Sequence, residues 1–137
     1  MLSKTAEYAL RAMVAIARVK EDRPVLAREI AKAGRIPDKY LSKVLGDLVH
    51  ARVLTSARGI GGGFKLKRRP EKLRLIDILR HFDDIPSRGR CPLGHPKCGD
   101  EKPCGMHEQW KPLKEAYSNL LEKTTLADIL GDPPTGK

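Results

Sequence analysis

Four glycines in five residues, Gly59-Ile60-Gly61-Gly62-Gly63, separate two short strand-like runs, and no other feature limits the available folds so strongly. The first run is Val53-Leu54-Thr55-Ser56-Ala57-Arg58. The second is Phe64-Lys65-Leu66-Lys67, where Phe64 and Leu66 alternate with lysines. Alternation of period two marks a strand with one buried face. Glycines between two such runs permit a tight hairpin tip that can press against another backbone. A phosphate-cradling nucleotide loop is the other use of a glycine-rich stretch. No Gly-Lys-Ser/Thr follows here, and strands stand on both sides, so the hairpin reading prevails.

Three helical patterns precede the hairpin. Ala6, Ala9, Leu10, Met13 and Ala17 recur at helical spacing from about Lys4 to Val19, with Ser3 available as N-cap. A short helix is expected from Leu26 to Ala33, ended by Gly34. The turn Gly34-Arg35-Ile36-Pro37 then leads to a helix from Asp38 to Ala51. Leu41, Val44, Leu45 and Leu48 form the buried face of that helix, which leaves Lys39, Tyr40 and Lys43 largely on the other side. Two helices joined by a tight glycine-containing turn make a helix-turn-helix, and the basic hairpin after them makes it winged. The fold expected is mainly α with a small β-hairpin wing, followed by a long C-terminal dimerisation helix.

The charge agrees with that architecture. A formal charge of +10 from 27 Lys and Arg favours a polyanionic partner, and the wing concentrates Arg58, Lys65, Lys67, Arg68 and Arg69. With only two Phe, three Tyr and one Trp, stacking on single strands is not the expected mode. Double-stranded DNA is. In a helix-turn-helix the second helix enters the major groove. That makes Tyr40 and Lys43 candidates for base contact and Lys39 for phosphate, while Arg58, Gly59, Gly61, Gly62 and Lys65 are candidates in the wing. Glu7 and Arg11 interrupt the first apolar stretch, so neither a signal peptide nor a membrane span is expected there, and the expected location is cytoplasmic.

Every cysteine lies in one Gly/Pro-rich run. Cys91, Cys98, Cys104 and His107 are spaced C-x6-C-x5-C-x2-H. Thiolates suit zinc or an iron–sulfur cluster, either of the 2Fe-2S or 4Fe-4S type, and imidazole can complete either set. An odd number of cysteines without a secretory signal argues against a disulfide framework. A metal-free thiol redox switch is the third reading, with Lys97 and Lys102 close enough in sequence to favour a thiolate. A Cys/His nucleophile is conceivable, but nothing orients the histidine and no pocket is suggested, so an enzyme is not expected.

After the loop, Trp110, Leu113, Ala116, Tyr117, Leu120 and Leu121 give one apolar stripe on a long helix ending near Lys123, and Thr125-Leu126-Ala127-Asp128 reads as a capping box. Such a stripe serves as an internal core or as a dimer seam. Because helix-turn-helix proteins pair to read two half-sites, a homodimer on a palindromic operator is expected. The organisation read from the chain is a DNA-binding domain at 1–85, a cysteine loop at 86–107, and a dimerisation helix with its tail at 108–137.

Several of these segments resemble one family. They are Glu7-Tyr8-Ala9-Leu10-Arg11, the helix from Ile36 to Leu48, the wing Arg58-Gly59-Ile60-Gly61-Gly62-Gly63-Phe64, the Cys/His loop, and Trp110 with Thr125 to Asp128. Their order is similar to that in the winged-helix regulators that include the cluster regulator IscR and the nitric-oxide-sensing repressor NsrR. The resemblance implies a dimeric transcription regulator whose cluster state governs DNA binding, in response to iron status, oxidants or nitric oxide. It further implies Cys91, Cys98 and Cys104 as cluster ligands, with His107 as the fourth or Glu7 of a partner subunit in its place. By the same resemblance Arg58 enters the minor groove and Tyr40 contacts DNA. Six residues separate the first two cysteines here, where the best-known members have five.

Overall fold

Ser3 begins the fold by capping helix α1 (Lys4–Ala17), its hydroxyl accepting the Ala6 N–H at 3.1 Å. The computed structural model describes residues 2–82 and 105–131. Helix α1 is rich in alanine, and Ala6, Ala9, Ala12 and Met13 are completely buried. Small side chains let neighbouring helices approach it closely, and α2 (Ala27–Gly34), α3 (Asp38–His50) and later elements all pack on it. Burial extends beyond the sequence stripe to Tyr8, Ala15 and Ile16, because α1 is surrounded rather than laid on a surface.

Helix α2 starts at a side-chain cap from within. The Glu29 carboxylate accepts the Leu26 N–H at 3.0 Å and also takes both Arg23 guanidinium nitrogens, each at 3.0 Å. These bonds, first from the Arg23 side chain and then from the Leu26 backbone, hold Glu29 down to a pKa of about 2. Its C-terminal end differs from the expectation by one residue. Gly34 is still helical, and Arg35 takes the left-handed conformation with φ 53°. Gly34 is needed for closeness instead: a Cβ there would lie 3.2 Å from Ile36 Cδ1 and 3.4 Å from Arg11 Cβ.

The wing consists of β1 (Leu54–Ala57) and β2 (Gly63–Leu66), antiparallel, with Leu54 opposite Leu66 and Ala57 opposite Gly63. Val25, just before α2, adds one rung on the free side of β2, exchanging two hydrogen bonds of 2.8 Å with Phe64. A 3-10 turn (Pro70–Lys72) leads to α4 (Leu75–Leu79), whose Leu75, Ile76, Ile78 and Leu79 are all buried.

Helix α5 (His107–Lys123) and helix α6 (Leu126–Leu130) complete the described chain. The Thr125/Asp128 capping box is formed, with bonds of 3.1 and 2.9 Å. The α5–α6 junction is stitched to the start of α4: the Leu75 N–H donates to Thr124 O at 2.9 Å and the Leu126 N–H to Leu73 O at 2.8 Å. Leu121 and Leu126 belong to the same hydrophobic core as α1 to α4. No helix among the described residues is long and apolar enough to cross a membrane.

Candidate nucleic-acid interface and sulfur-rich loop

Recognition helix α3 buries Val44, Leu45 and Leu48 and turns Asp38, Lys39, Ser42, Lys43 and Gly46 outward. Tyr40 departs from the expected face. It is half-buried, its ring centroid 4.8 Å from that of Tyr8 on α1, with the Lys39 ammonium over the ring at 5.2 Å from its centroid. The two rings are tilted by 47°, and an aromatic ring gains more from that packing than from water, so Tyr40 braces α3 against α1. Lys39 remains exposed, and Lys43 shares its charge with Asp47 at 2.9 Å, one turn on.

Arg58 is exposed at the base of the wing tip and makes no ion pair with any described residue. Lys65 is paired: its ammonium lies 2.7 Å from Asp22 Oδ1, in the turn between α1 and α2. That hydrogen bond and the charge of Lys65 hold the Asp22 carboxyl below its usual pKa. Both side chains are open to water, so the pair is weak and a phosphate can displace Asp22. Gly59 and Gly61 are exposed at the tip, whereas Gly62 is buried inside the hairpin, where a Cβ would strike Ala57 O. Between α3 and the wing runs an open cleft of about 650 Å³, bordered by Ser42, Gly46, Ser56, Arg58 and Phe64. Donors and a cation thus line one continuous surface from the helix to the hairpin.

Cys91, Cys98 and Cys104 lie outside the described residues, so their spacing is known from sequence alone. His107 is described. It occupies the first position of α5 and is only 7 % exposed. Trp110, one turn further on the same face, buries its indole N–H without an acceptor among the described residues. Leaving such a donor unmatched costs about 1–3 kcal/mol. A sulfur-rich centre next to His107 would supply acceptors as well as accept the imidazole. The donor set of three thiols and one imidazole therefore fits an iron–sulfur cluster. Glu7 sits in the first turn of α1, its carboxylate partly exposed and 3.8 Å from the Arg11 guanidinium.

Sequence reasoning did not find Val25 as the third rung of the wing, Asp22 as the partner of Lys65, or Tyr8 as the brace of Tyr40. An apolar residue directly after a proline at a helix entrance was the one available signal, for Val25.

Comparison with known proteins agrees with this layout. The family described as "Rrf2: Iron-dependent Transcriptional regulator" matches residues 2–132. An HTH-type transcriptional regulator of Aquifex aeolicus is 35% identical over 132 residues, covering 95% of this chain and 91% of that protein. The HTH-type transcriptional regulator NsrR of Geobacillus kaustophilus is 28% identical over 132 residues, covering 96% and 90% of the two chains. Among solved structures, T. potens IscR superposes with a TM-score of 0.73 at 24% identity, over 99% of this chain and 93% of that one. The winged helix-turn-helix, the long helix after the cysteine run and the returning α6 accordingly mark this chain as a member of the Rrf2 family of transcriptional regulators.

Proposed function

We propose that the chain works as a homodimer whose hold on a palindromic operator is controlled by an iron–sulfur cluster in the sulfur-rich loop. The observation that carries this reading is the buried His107, heading α5 directly after the cysteine run, with the Trp110 indole, acceptorless among the described residues, one turn away. Cys91, Cys98, Cys104 and His107 would hold the cluster, and Glu7 of a partner subunit is the alternative fourth ligand. When bound, the cluster supplies a centre whose integrity depends on iron supply, oxidants and nitric oxide.

The chain's own residues do the rest. Lys39 at the entrance of α3, with Arg58 and Lys65 in the wing, meets phosphates, the sequence-independent and salt-sensitive part of affinity. Lys43, with the exposed Ser42 beside it and the half-buried Tyr40 behind, would face base edges from the first turns of α3. On α5, Leu113 and Leu120 are 51% and 52% exposed, with Ala116 between them on the same side. That face is the proposed seam between two copies. It begins at the sulfur-rich loop, so a change there can alter the separation of two recognition helices. Half-site spacing is strict, and affinity follows it.

Protein purified without oxygen tests the reading. Iron and acid-labile sulfide, with visible absorption and an electron paramagnetic resonance signal, are expected. Replacing all three cysteines by serine should abolish them and the response of operator binding. Colourless protein without iron and sulfide would overturn it, in favour of structural zinc if zinc is found at one per chain. Metal-free protein whose reversible thiol oxidation tracks DNA affinity would favour a thiol switch.

A further inference from the structure

The tip of the wing carries an apolar side chain that nothing in the fold uses. Gly59 O accepts the Gly62 N–H at 3.0 Å, which closes a four-residue turn, and Gly61 at its third position has φ 79°. That is the form of a type II turn, which asks for glycine at the third position and places no apolar demand on the second. The second position is Ile60, and it is 107% exposed. The other exposed large apolar residues among the described ones, Leu26, Leu113 and Leu120, lie on or beside helices with buried faces; Ile60 stands alone at the tip of the hairpin. The hairpin that holds it out is anchored by the Val25 rung and by its register from Ala57–Gly63 to Leu54–Leu66. Two residues before it is Arg58, exposed and without an ion-pair partner among the described residues.

We infer that Ile60 reads the minor groove of the operator, packing against its floor and selecting A·T over G·C pairs where the wing lands. The inference rests on the DNA-binding reading above and adds a residue and a base preference to it. The chemistry is steric. In the minor groove an A·T pair shows only acceptors, whereas G·C adds the guanine 2-amino group, which stands up from the floor. A branched aliphatic tip fits against the flat A·T floor and the sugar walls, and it collides with the amino group. Apolar wedges of this kind, isoleucine among them, are a recurring minor-groove device. Arg58 beside it supplies attraction to the phosphates that flank the groove, which does not depend on sequence, so the base preference is carried by Ile60. Ile60 adds shape to charge. In a two-fold dimer both wings do this, so the preference falls at two symmetric flanks outside the positions read by α3.

Full-length protein selecting from a random duplex library tests it. Wild type should enrich A·T pairs at both flanks, and Ile60→Ser should lose that enrichment while keeping the inner positions. On the selected duplex, exchanging the flanking A·T pairs for G·C should weaken wild type about tenfold. Exchanging them for inosine·C, which lacks the 2-amino group, should restore affinity. Ile60→Ser should bind all three duplexes within about twofold, with an unchanged thermal midpoint, since the side chain makes no contact in the fold. A wild type indifferent to flanking G·C, or an Ile60→Ser variant that keeps the flank preference, would overturn the inference. So would a G·C penalty that inosine does not relieve, which would place the readout in the major groove. Failure of wild type to select any sequence would remove the DNA-binding reading and this inference with it.

Discussion

Substituting alanine for Gly63 would place a Cβ 2.5 Å from the Val25 carbonyl oxygen and 2.7 Å from its carbon. Two costs add. The backbone there has φ 140°, a region essentially reserved for glycine, and holding another residue in it costs about 1–3 kcal/mol. Val25 cannot retreat without stretching the two 2.8 Å hydrogen bonds it exchanges with Phe64. Their loss adds about 1 kcal/mol each. The expected destabilisation is about 3–5 kcal/mol, or a fall in thermal midpoint of about 10–20 °C for a chain of this size. Urea unfolding followed by circular dichroism measures it, with Gly61→Ala as control. Gly61 also has positive φ (79°) but nothing within 4 Å of a Cβ, so only a backbone cost of about 1–2 kcal/mol applies. Should Gly63→Ala cost no more than Gly61→Ala, the Val25 rung does not anchor the wing and the reasoning fails.

Three further expectations follow from the charges and the exposed seam. Asp22→Asn should release Lys65 to phosphate, steepening the plot of log affinity against log salt by about one unit in filter-binding titrations. Glu29 has its pKa lowered from 4.5 to about 2, so its contribution is fully present above 4.5 and lost as pH falls through about 2. The difference in thermal midpoint between wild type and Glu29→Gln should therefore shrink over that acid window and be constant above it. Leu113→Glu combined with Leu120→Glu should yield a folded monomer by light scattering, with operator affinity reduced at least about tenfold by the loss of the second half-site.

Legibility in the sequence varied with the range of the interaction. Helices α1 to α3, α5 and the two strands announce themselves because each has several turns or rungs of regular spacing, as with Leu41, Val44, Leu45 and Leu48. Local caps were equally plain, and Ser3 and Thr125 both cap as their neighbours suggest. What escaped was single contacts between distant residues. Val25 contributes one rung and so has no period, and Lys65 meets Asp22 across 43 residues. Tyr40 reads as outward by helical phase but is drawn to Tyr8 by ring packing. For the sulfur-rich loop the situation is reversed. Residue chemistry and spacing speak at Cys91, Cys98 and Cys104, and the described structure adds only the environment of His107 and Trp110.

The bonds that join Leu75 to Thr124 and Leu126 to Leu73 make the far end of α5 a fixed hinge point. Seventeen residues span His107 to Lys123, roughly 25 Å along the axis, with Pro112 inside the helix interrupting its hydrogen-bond ladder near the His107 end. If the proposed function holds, a displacement of about 2 Å at the His107 end would be divided between a tilt of at most roughly 5° about the pinned end and a bend at Pro112. Leu113, near the moving end, travels further than Leu120, near the pivot. On the proposed reading, a chemical event at the His107 end would reach the exposed leucines before it reached Leu121, the residue by which this helix enters the core.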